Sequence, residues 1–319
     1  TATMRDVRVN RRVRIVFVHQ NFPGQFGRLA SALAQEGHEV LALAITRDRE
    51  VPGVRIVHYD PEPGPDPGAF DGRFSDTVAR LRRAYGIARR AKALSAEGFE
   101  PDVVVANTGW GENLFLKDVW PRARHIAYFE YYYASEGQDI GFDPEFPLLS
   151  EEVIWRLRIK NMQQLAAFDV ADAAVAPTRW QRDTFPAYLR SRITVIHDGI
   201  DTQAVRPDPA AAVRFGENGP RFDRASPVVT YVTRNIEPMR GAHIMFRSLP
   251  GLLALDPALR VIVLGGAGVS YGAGPNGGKT WAEIFKAEVN DAVDWSRVFF
   301  MGNLPHHHFV RVLQVSSAH

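Results

Sequence analysis

Residues 228–241 read VVTYVTRNIEPMRG, an apolar run followed by a loop that contains two arginines and ends in glycine. Residues 13–27 repeat this arrangement near the start of the chain as VRIVFVHQNFPGQFG. Each stretch predicts a β-strand, a loop and the beginning of a helix. Because backbone N–H groups and the positive end of the helix dipole lie at such a junction, each suits a phosphate group. Two junctions in one chain predict two α/β domains that face each other across an anionic ligand.

The composition excludes several classes of protein. The chain has 319 residues, 45% of them hydrophobic, which is enough for two domains with cores of their own. Its formal net charge of +2 gives no bulk electrostatic reason to expect a nucleic-acid partner. It has no cysteine, which excludes disulfides, thiolate metal sites and a cysteine nucleophile. With no apolar run of about 18 residues and no secretory signal, it is expected to be cytoplasmic.

Strand and helix patterns alternate along the chain, which is typical of parallel sheets wrapped by helices. Residues 1–204 are predicted to form an N-terminal Rossmann-like domain. Residues 205–227, rich in proline, glycine and charge, are predicted to be a linker, and residues 228–319 a partial C-terminal Rossmann-like domain. Because three predicted strands would leave an apolar sheet edge uncovered in that last domain, we expect the natural protein to continue further.

Arg234 and Arg240 are the leading candidates for binding an anionic ligand. They lie six residues apart beside a predicted helix N-terminus, where charge-assisted hydrogen bonds to a diphosphate would contribute about 1.5–3 kcal/mol each. They would also stabilise negative charge on a departing diphosphate; the alternative is that one of them forms a surface salt bridge. Gly24 in the first loop would let the backbone approach a ligand closely, although an ordinary strand–helix loop would have the same pattern.

Glu130 follows a predicted strand and precedes three tyrosines, among them Tyr132, and Asp139 lies in the next loop. In open α/β sheets, ligands bind outside the carboxyl ends of the strands. A carboxylate there could accept hydrogen bonds from sugar hydroxyls, and a tyrosine face could stack on a sugar ring. The alternative is a hydrogen-bonded structural acid among core aromatics.

Three further patterns are less specific. Residues 265–278 hold seven glycines, but they meet neither the Walker A nor the dinucleotide-binding spacing, so we expect a mobile loop that borders the ligand. Three consecutive histidines from His306 would point about 100° apart on a helix and cannot converge on a metal ion. The basic helix predicted within residues 73–92 could contact anionic lipid, or it could be a solvated helix face.

Several short motifs resemble those of a known family. The Arg-x5-Arg-Gly motif at 234–241, HDGID at 197–201 and FMGNLP at 300–305 are similar to motifs of the retaining glycosyltransferases of family 4, which have the GT-B fold. HQNFPGQF, GWGE, YFEYYY, FDPEFP and PTRWQ resemble a bacterial subgroup defined by its N-terminal domain. The resemblance implies two Rossmann-like, doubly wound parallel-sheet domains facing across a cleft, the second truncated at its C-terminus.

The resemblance implies transfer of a sugar from a nucleotide diphosphate sugar, UDP more than GDP, to an unidentified acceptor with retention of anomeric configuration. Arg234 and Arg240 match the family's diphosphate-binding pair, with Arg240 in place of the usual lysine. Gly24 matches a glycine that approaches the diphosphate from the first domain. The region that borders the base is matched by Gly302, Asn303 and Leu304.

The remaining assignments combine the resemblance with the positions of the residues described above. Catalysis is assigned to Arg234, Arg240 and Glu130, and acceptor binding to Glu112, Tyr132 and Asp139. The departing diphosphate would deprotonate the acceptor, so neither a metal ion nor another cofactor is expected. The acceptor would be a carbohydrate, a lipid-linked molecule or a small molecule, and residues 73–92 could add a peripheral contact with the inner membrane face.

Two other functions stay open. A nucleotide-sugar epimerase or a phosphorylase of similar fold would share the architecture, although a phosphorylase would need a pyridoxal-binding lysine and lysines are scarce in the second domain. The other is a non-catalytic nucleotide-sugar-binding module, because the family's paired-glutamate motif is absent from these 319 residues. Donor affinity without turnover would distinguish such a module.

Overall fold

The structure, a computed structural model, describes residues 12–65, 73–138, 140–147 and 150–319. It divides into two compact units. Unit 1 comprises residues 1–142 and 147–199, and unit 2 comprises residues 143–146 and 200–319. Each unit is built on a parallel sheet with helices, so the predicted α/β class is confirmed.

The described residues of unit 1 contain the strands β1 (Arg14–Val18), β2 (Glu39–Ala44), β3 (Val54–His58), β4 (Val103–Asn107), β5 (Arg124–Tyr128), β6 (Ala173–Ala176) and β7 (Ile193–Val195). They form one parallel sheet in the order β3-β2-β1-β4-β5-β6-β7. The helices are α1 (Gly27–Gln35), α2 (Ser75–Ala96), α3 (Leu116–Val119), α4 (Glu151–Val170), α5 (Arg179–Asp183) and α6 (Ala187–Arg190). The strand order reverses between β1 and β4, and the loops after these strands border the crevice at which such sheets bind ligands.

Burial on both faces of the sheet explains the continuous apolar run of β1. Ile15 and Phe17 belong to one core cluster, and Val16 and Val18 belong to another on the opposite face. Side chains alternate between the two faces of a strand, so a central strand covered on both sides must be apolar at every position. This requirement is what made β1 recognisable in the sequence.

The described residues of unit 2 contain a short antiparallel hairpin, β8 (Ala212–Arg214) with β9 (Arg221–Asp223), and three longer strands, β10 (Val228–Asn235), β11 (Arg260–Gly266) and β12 (Val298–Gly302). The longer strands form a parallel sheet in the order β10-β11-β12. The helices are α7 (Ala242–Leu255), α8 (Trp281–Glu288) and α9 (His306–Val315).

The predicted linker at 205–227 is wrong, because these residues are part of unit 2. The hairpin β8–β9 packs on the sheet: Phe222 is fully buried and shares a core cluster with Ile262 of β11 and Val312 of α9. The boundary between the units lies between Gly199 and Ile200. Proline, glycine and charge mark the turns of this hairpin as readily as they mark a linker, which explains the error.

One edge of the second sheet is occupied by the last residues of the chain. The N–H of Thr230 donates to the carbonyl of Ala318 at 2.9 Å, and the N–H of Ser317 donates to the carbonyl of Val228 at 2.7 Å. These bonds run along β10, one of the two edge strands of this sheet. The backbone groups of β10 therefore have partners over this stretch.

The basic residues of α2 are largely engaged within unit 1. Arg82 donates to the carbonyl of Glu62 at 2.5 Å, Arg83 donates to the carbonyl of Trp110 at 3.1 Å, and Arg89 pairs with the Glu62 carboxylate at 2.9 Å. These contacts give the arginines a structural role, and a membrane contact through residues 73–92 stays a prediction. In the part of the chain that the structure describes, no helix has both the length and the apolar character needed to cross a bilayer.

Candidate functional site

The arginine cavity is a space of about 1030 Å³ in unit 2 that is bordered by the ends of strands. It is lined by Val232, Thr233, Arg234, Met239, Arg240, Leu304, His306 and Phe309. Three of these residues, Arg234, Arg240 and Leu304, were predicted to bind the donor, and the structure brings them together. His306 and Phe309, from the first turn of α9, were not predicted as site residues.

Both arginines of the cavity are exposed. Within the described ranges, neither guanidinium forms an ion pair with a carboxylate. The Arg240 guanidinium carbon lies 4.6 Å from the centre of the Tyr271 ring, and the Arg240 carbonyl accepts a hydrogen bond from the Tyr231 hydroxyl at 2.8 Å. Two cations without a neutralising partner in one cavity suit a ligand with two negative groups, such as a diphosphate.

The helix α7 begins shortly after Arg240, with Gly241 as the residue that precedes its first turn. Gly241 has a φ of 68°, in the left-handed region that favours glycine, and α7 begins at Ala242. The first N–H groups of a helix have no partner within the helix, and they form the positive end of its dipole. The predicted junction of strand, arginine loop and helix is therefore present in the structure.

Gly302 and Asn303 lie where β12 ends, immediately before Leu304 in the cavity wall. Gly302 has a φ of 62°, so a residue with a side chain would be strained there. The Asn303 amide nitrogen lies 3.0 Å from the position that a Cβ atom would take on Gly266. The loops after β11 and β12 are thus in close contact, and the role of Gly302, Asn303 and Leu304 beside a base stays a prediction.

Position 24 in the first loop requires glycine, because the His19 ring leaves no space there for a Cβ atom. Gly24 has a φ of 47°, and a Cβ atom there would lie 2.9 Å from the imidazole ring of His19. We expected a ligand to come close to this glycine, but in the structure the close neighbour is the His19 ring. Donor binding by Gly24 stays a prediction, and any ligand that reached it would also meet His19.

His19 is a candidate that the sequence analysis missed. It follows β1 directly and is only 8% exposed, and burial lowers its pKa to about 4. Its Nδ1 accepts a hydrogen bond from the N–H of Asn21 at 3.0 Å, so the neutral ring carries its hydrogen on Nε2. The sequence signal was present, because a polar residue at the carboxyl end of a buried strand occupies a usual ligand position.

The structure brings Glu130 to the Gly24 loop. Glu130 follows the end of β5 and is half-buried, and its Oε1 accepts a hydrogen bond from the side-chain amide of Gln25 at 3.3 Å. The carboxylate and the loop after β1 therefore lie at the same edge of the unit 1 sheet. This position is compatible with the predicted catalytic role.

Tyr132 packs against a core cluster of unit 1, whereas Tyr131 and Tyr133 contact each other. The Tyr132 ring lies 5.3 Å from that of Phe185, and burial is the main cause that raises the Tyr132 pKa. The aromatic cluster, which we define as Tyr131, Tyr133 and Trp180, has ring centroids 5.2 and 5.7 Å apart. Trp180 is 61% exposed, so this cluster offers the more accessible aromatic surface for a sugar ring.

The structure places Glu112 in the interior of unit 1. It is 1% exposed, its Oε1 accepts a hydrogen bond from the Tyr59 hydroxyl at 2.9 Å, and burial raises its pKa. Its second oxygen is also buried, so the side chain faces the core instead of a surface at which an acceptor could bind. Asp139, the other predicted acceptor ligand, lies outside the described residues.

One group of potential metal ligands occurs among the described residues. Asp143, Glu145 and His243 place ligand atoms within 4.8 Å of one another. These atoms already have partners: the His243 Nε2 lies 2.9 Å from Asp143, and both Glu145 oxygens accept hydrogen bonds from Arg247 at 2.6 and 2.7 Å. These side chains already contact one another or Arg247, and a metal ion that bound both oxygens of Glu145 would have to displace Arg247.

Comparison with protein families and curated proteins gave one match. A model of the glycosyl transferase family 4 group matches residues 36–205, which is more than half of the chain. The match covers most of unit 1. No curated protein matched the sequence.

Solved structures share the fold at low sequence identity. The Candida albicans trehalose-6-phosphate phosphatase N-terminal domain aligns with a TM-score of 0.60 and 13% identity over 96% of this chain and 76% of its own. The catalytic domain of Arabidopsis thaliana starch synthase IV, bound to ADP and acarbose, gives 0.59 and 15% over 95% and 76%. A structure of trehalose-6-phosphate from E. coli bound with UDP-2-fluoro glucose gives 0.54 and 12% over 95% and 76%. The predicted fold class, two Rossmann-like units of the GT-B type, is confirmed.

Proposed function

Because the chain belongs to the glycosyl transferase family 4 group, we propose that it transfers a sugar from a nucleotide diphosphate sugar to an acceptor with retention of anomeric configuration. The observation that carries the proposal is the arginine cavity, where two exposed guanidinium groups line one space of about 1030 Å³. UDP is the proposed nucleotide, supported by the UDP-linked sugar in one structure of similar fold. The motifs at 19–26 and 128–133 favour a bacterial subgroup.

In the proposed reaction, the bond between the anomeric carbon and the diphosphate oxygen breaks, and the bonding electron pair leaves with the diphosphate. The acceptor hydroxyl oxygen bonds to the same carbon on the same face, and its proton passes to a diphosphate oxygen. Arg234 and Arg240 would donate charge-assisted hydrogen bonds to the diphosphate as its charge grows. Because guanidinium groups supply the positive charge, we propose that turnover does not depend on a metal ion.

For unit 1 we propose that the acceptor binds beside Glu130 and the aromatic cluster. The Glu130 carboxylate would accept hydrogen bonds from acceptor hydroxyls. The exposed faces of aromatic rings bind the apolar face of a sugar ring well, because they exclude water without requiring a polar partner. This arrangement favours a carbohydrate acceptor over a lipid-linked one.

The first test is thermal unfolding of the chain with UDP, GDP, ADP and their sugars. A ligand present at about 100 times its dissociation constant adds about 2.7 kcal/mol to the free energy of unfolding. We expect a clear rise in Tm with one nucleotide, UDP first, and with its sugar. The same measurement on a variant with both arginines replaced by glutamine should show no rise.

Product analysis then separates the remaining functions. Transfer of sugar to an added acceptor, unaffected by a metal chelator, supports the proposal. Conversion of the donor sugar to its epimer without an acceptor would instead identify an epimerase, and binding with no turnover would identify a binding module. A wild-type chain that binds no nucleotide contradicts the proposal at its first step.

Glu130→Gln is expected to lower kcat for transfer roughly tenfold or more while donor affinity is kept, because the substitution removes a charged acceptor of hydrogen bonds. Glutamine retains an oxygen that can accept the bond from Gln25, so the fold should persist. Steady-state kinetics with the donor and acceptor varied separately would measure the effect. Glu136→Gln, at an exposed carboxylate nearby, is the matched control, and equal kcat in the two variants would remove Glu130 from the site.

A further inference from the structure

We propose that Glu237 and Tyr271 are positioning residues that hold the Arg240 guanidinium in the orientation needed for the donor diphosphate. The inference rests on the proposed function, because it assigns Arg240 its ligand. It concerns the loop that follows β11, for which the sequence analysis predicted mobility. The structure instead shows that the segment from the end of β11 to Tyr271, residues 266–271, is fastened to the arginine loop.

Glu237 lies between the two arginines in sequence and is 0% exposed. Its Oε2 accepts hydrogen bonds from two successive backbone N–H groups, those of Ser270 at 2.8 Å and Tyr271 at 3.0 Å. Its Oε1 is buried and has no hydrogen-bond partner among the described residues. Burying a carboxylate is unfavourable unless it is hydrogen-bonded. The two bonds from the backbone of Ser270 and Tyr271 offset this cost and tie the segment to Glu237.

Two other contacts fasten the same segment. The Asn235 side-chain amide donates to the Ser270 hydroxyl at 2.7 Å, and the N–H of Ile236 donates to the carbonyl of Gly266 at 3.0 Å. A Cβ atom on Gly266 would lie 2.6 Å from the Asn235 side-chain oxygen. Glycine at this position therefore allows the close approach, and one function of the glycine-rich sequence is to let this loop pack on the arginine loop.

The fastened segment ends at Tyr271, whose ring lies 4.6 Å from the Arg240 guanidinium carbon. The backbone of Arg240 is held separately by the Tyr231 hydroxyl. The Arg240 backbone is thus held by a hydrogen bond at its carbonyl, and the Arg240 side chain is held by an aromatic face at its guanidinium. A planar guanidinium stacks on a ring in a way that a lysine ammonium does not, so Tyr271 is suited to arginine at position 240.

The orientation can be measured without any substrate. In the full chain with labelled arginine, the Nε–H resonance of Arg240 should be displaced by the ring current of Tyr271. We expect the displacement to persist in Tyr271→Phe and to vanish in Tyr271→Leu. Tyr85→Leu, an exposed tyrosine on α2, is the control and should leave the Arg240 resonance in place.

Glu237 is tested through hydrogen exchange as well as through Arg240. In Glu237→Gln the fold should persist, because the amide oxygen still accepts a hydrogen bond, but the weaker acceptor should make the amides of Ser270 and Tyr271 exchange faster. In Glu237→Ala the Arg240 resonance should also lose its displacement. An unchanged resonance in Glu237→Ala together with unchanged exchange in Glu237→Gln would overturn the role of Glu237.

The link to the donor is tested by a double-mutant cycle on nucleoside diphosphate affinity. Tyr271→Leu and Arg240→Lys should each weaken binding roughly fivefold, and the double variant should bind no more weakly than either single one. If the two fold-losses of affinity multiplied in the double variant, Tyr271 would not act through Arg240, and the proposal would be overturned. A wild-type chain that binds no nucleoside diphosphate would refute the proposed function instead, while the resonances still decide whether Glu237 and Tyr271 orient Arg240.

Discussion

Arg234→Ala is expected to lower kcat/KM for the nucleotide sugar by about 10- to 150-fold, and Arg240→Ala by a similar factor. This range corresponds to the loss of one charge-assisted hydrogen bond, about 1.5–3 kcal/mol, from the bound diphosphate. The two guanidinium groups line the same cavity, and no carboxylate pairs with either in the chain as described, so neither is needed to neutralise a neighbour. We therefore expect the far-UV spectrum and Tm without ligand to be unchanged.

The control is Arg221→Ala, which removes an exposed arginine of β9 that pairs with Asp223 at 3.5 Å outside the cavity. Its kinetics should match those of the wild type. Wild-type rates in both Arg234→Ala and Arg240→Ala would show that the cavity is not the donor site. A drop in Tm without ligand would show that the arginines serve the fold.

The stability of unit 1 is expected to fall between pH 6.5 and pH 4 because of His19. Burial lowers the folded-state pKa of His19 from 6.5 to about 4, so the unfolded chain binds a proton in this interval that the folded chain does not. The stabilising contribution is complete above pH 6.5 and is lost as the pH falls through about 4. A shift of this size corresponds to about 3 kcal/mol.

Denaturant unfolding of His19→Asn at several pH values would measure this contribution. The variant should lose less stability than the wild type between pH 6.5 and 4, because asparagine binds no proton. His307→Asn, at an exposed histidine of α9, is the control variant with which the slope of His19→Asn is compared. Identical slopes for wild type and His19→Asn would contradict the burial assigned to His19.

Elements that satisfy one strong physical rule were predicted well. Residues 228–241 were predicted to form a strand, a loop and the beginning of a helix, and α7 does begin at Ala242, directly after Gly241. The hairpin at 212–223 was missed, because its short strands lack the length and periodicity that distinguish a packed hairpin from a linker.

The arginine cavity was predicted in part because charge and glycine are visible in a sequence, whereas contacts between distant residues are not. Arg234 and Arg240 could be placed from the loop that follows a strand, and Leu304 from the resemblance of residues 300–305 to a family motif. Glu112 was read as an acceptor ligand, but its partner Tyr59 lies 53 residues earlier, and only the folded sheet brings them together. Glu237 was passed over for the same reason, since no local pattern reveals that a glutamate is buried.

The four residues 143–146 make unit 2 discontinuous in sequence, which determines how the protein can be dissected. Expression of residues 200–319 alone would omit Asp143 and Glu145, the partners of His243 and Arg247. It would also omit Phe146, whose ring meets that of Trp281 edge-on at 5.5 Å. A recombinant fragment of the second unit would therefore need residues 143–146 grafted back, or substitutions at His243 and Arg247, before it could replace the intact unit in experiments.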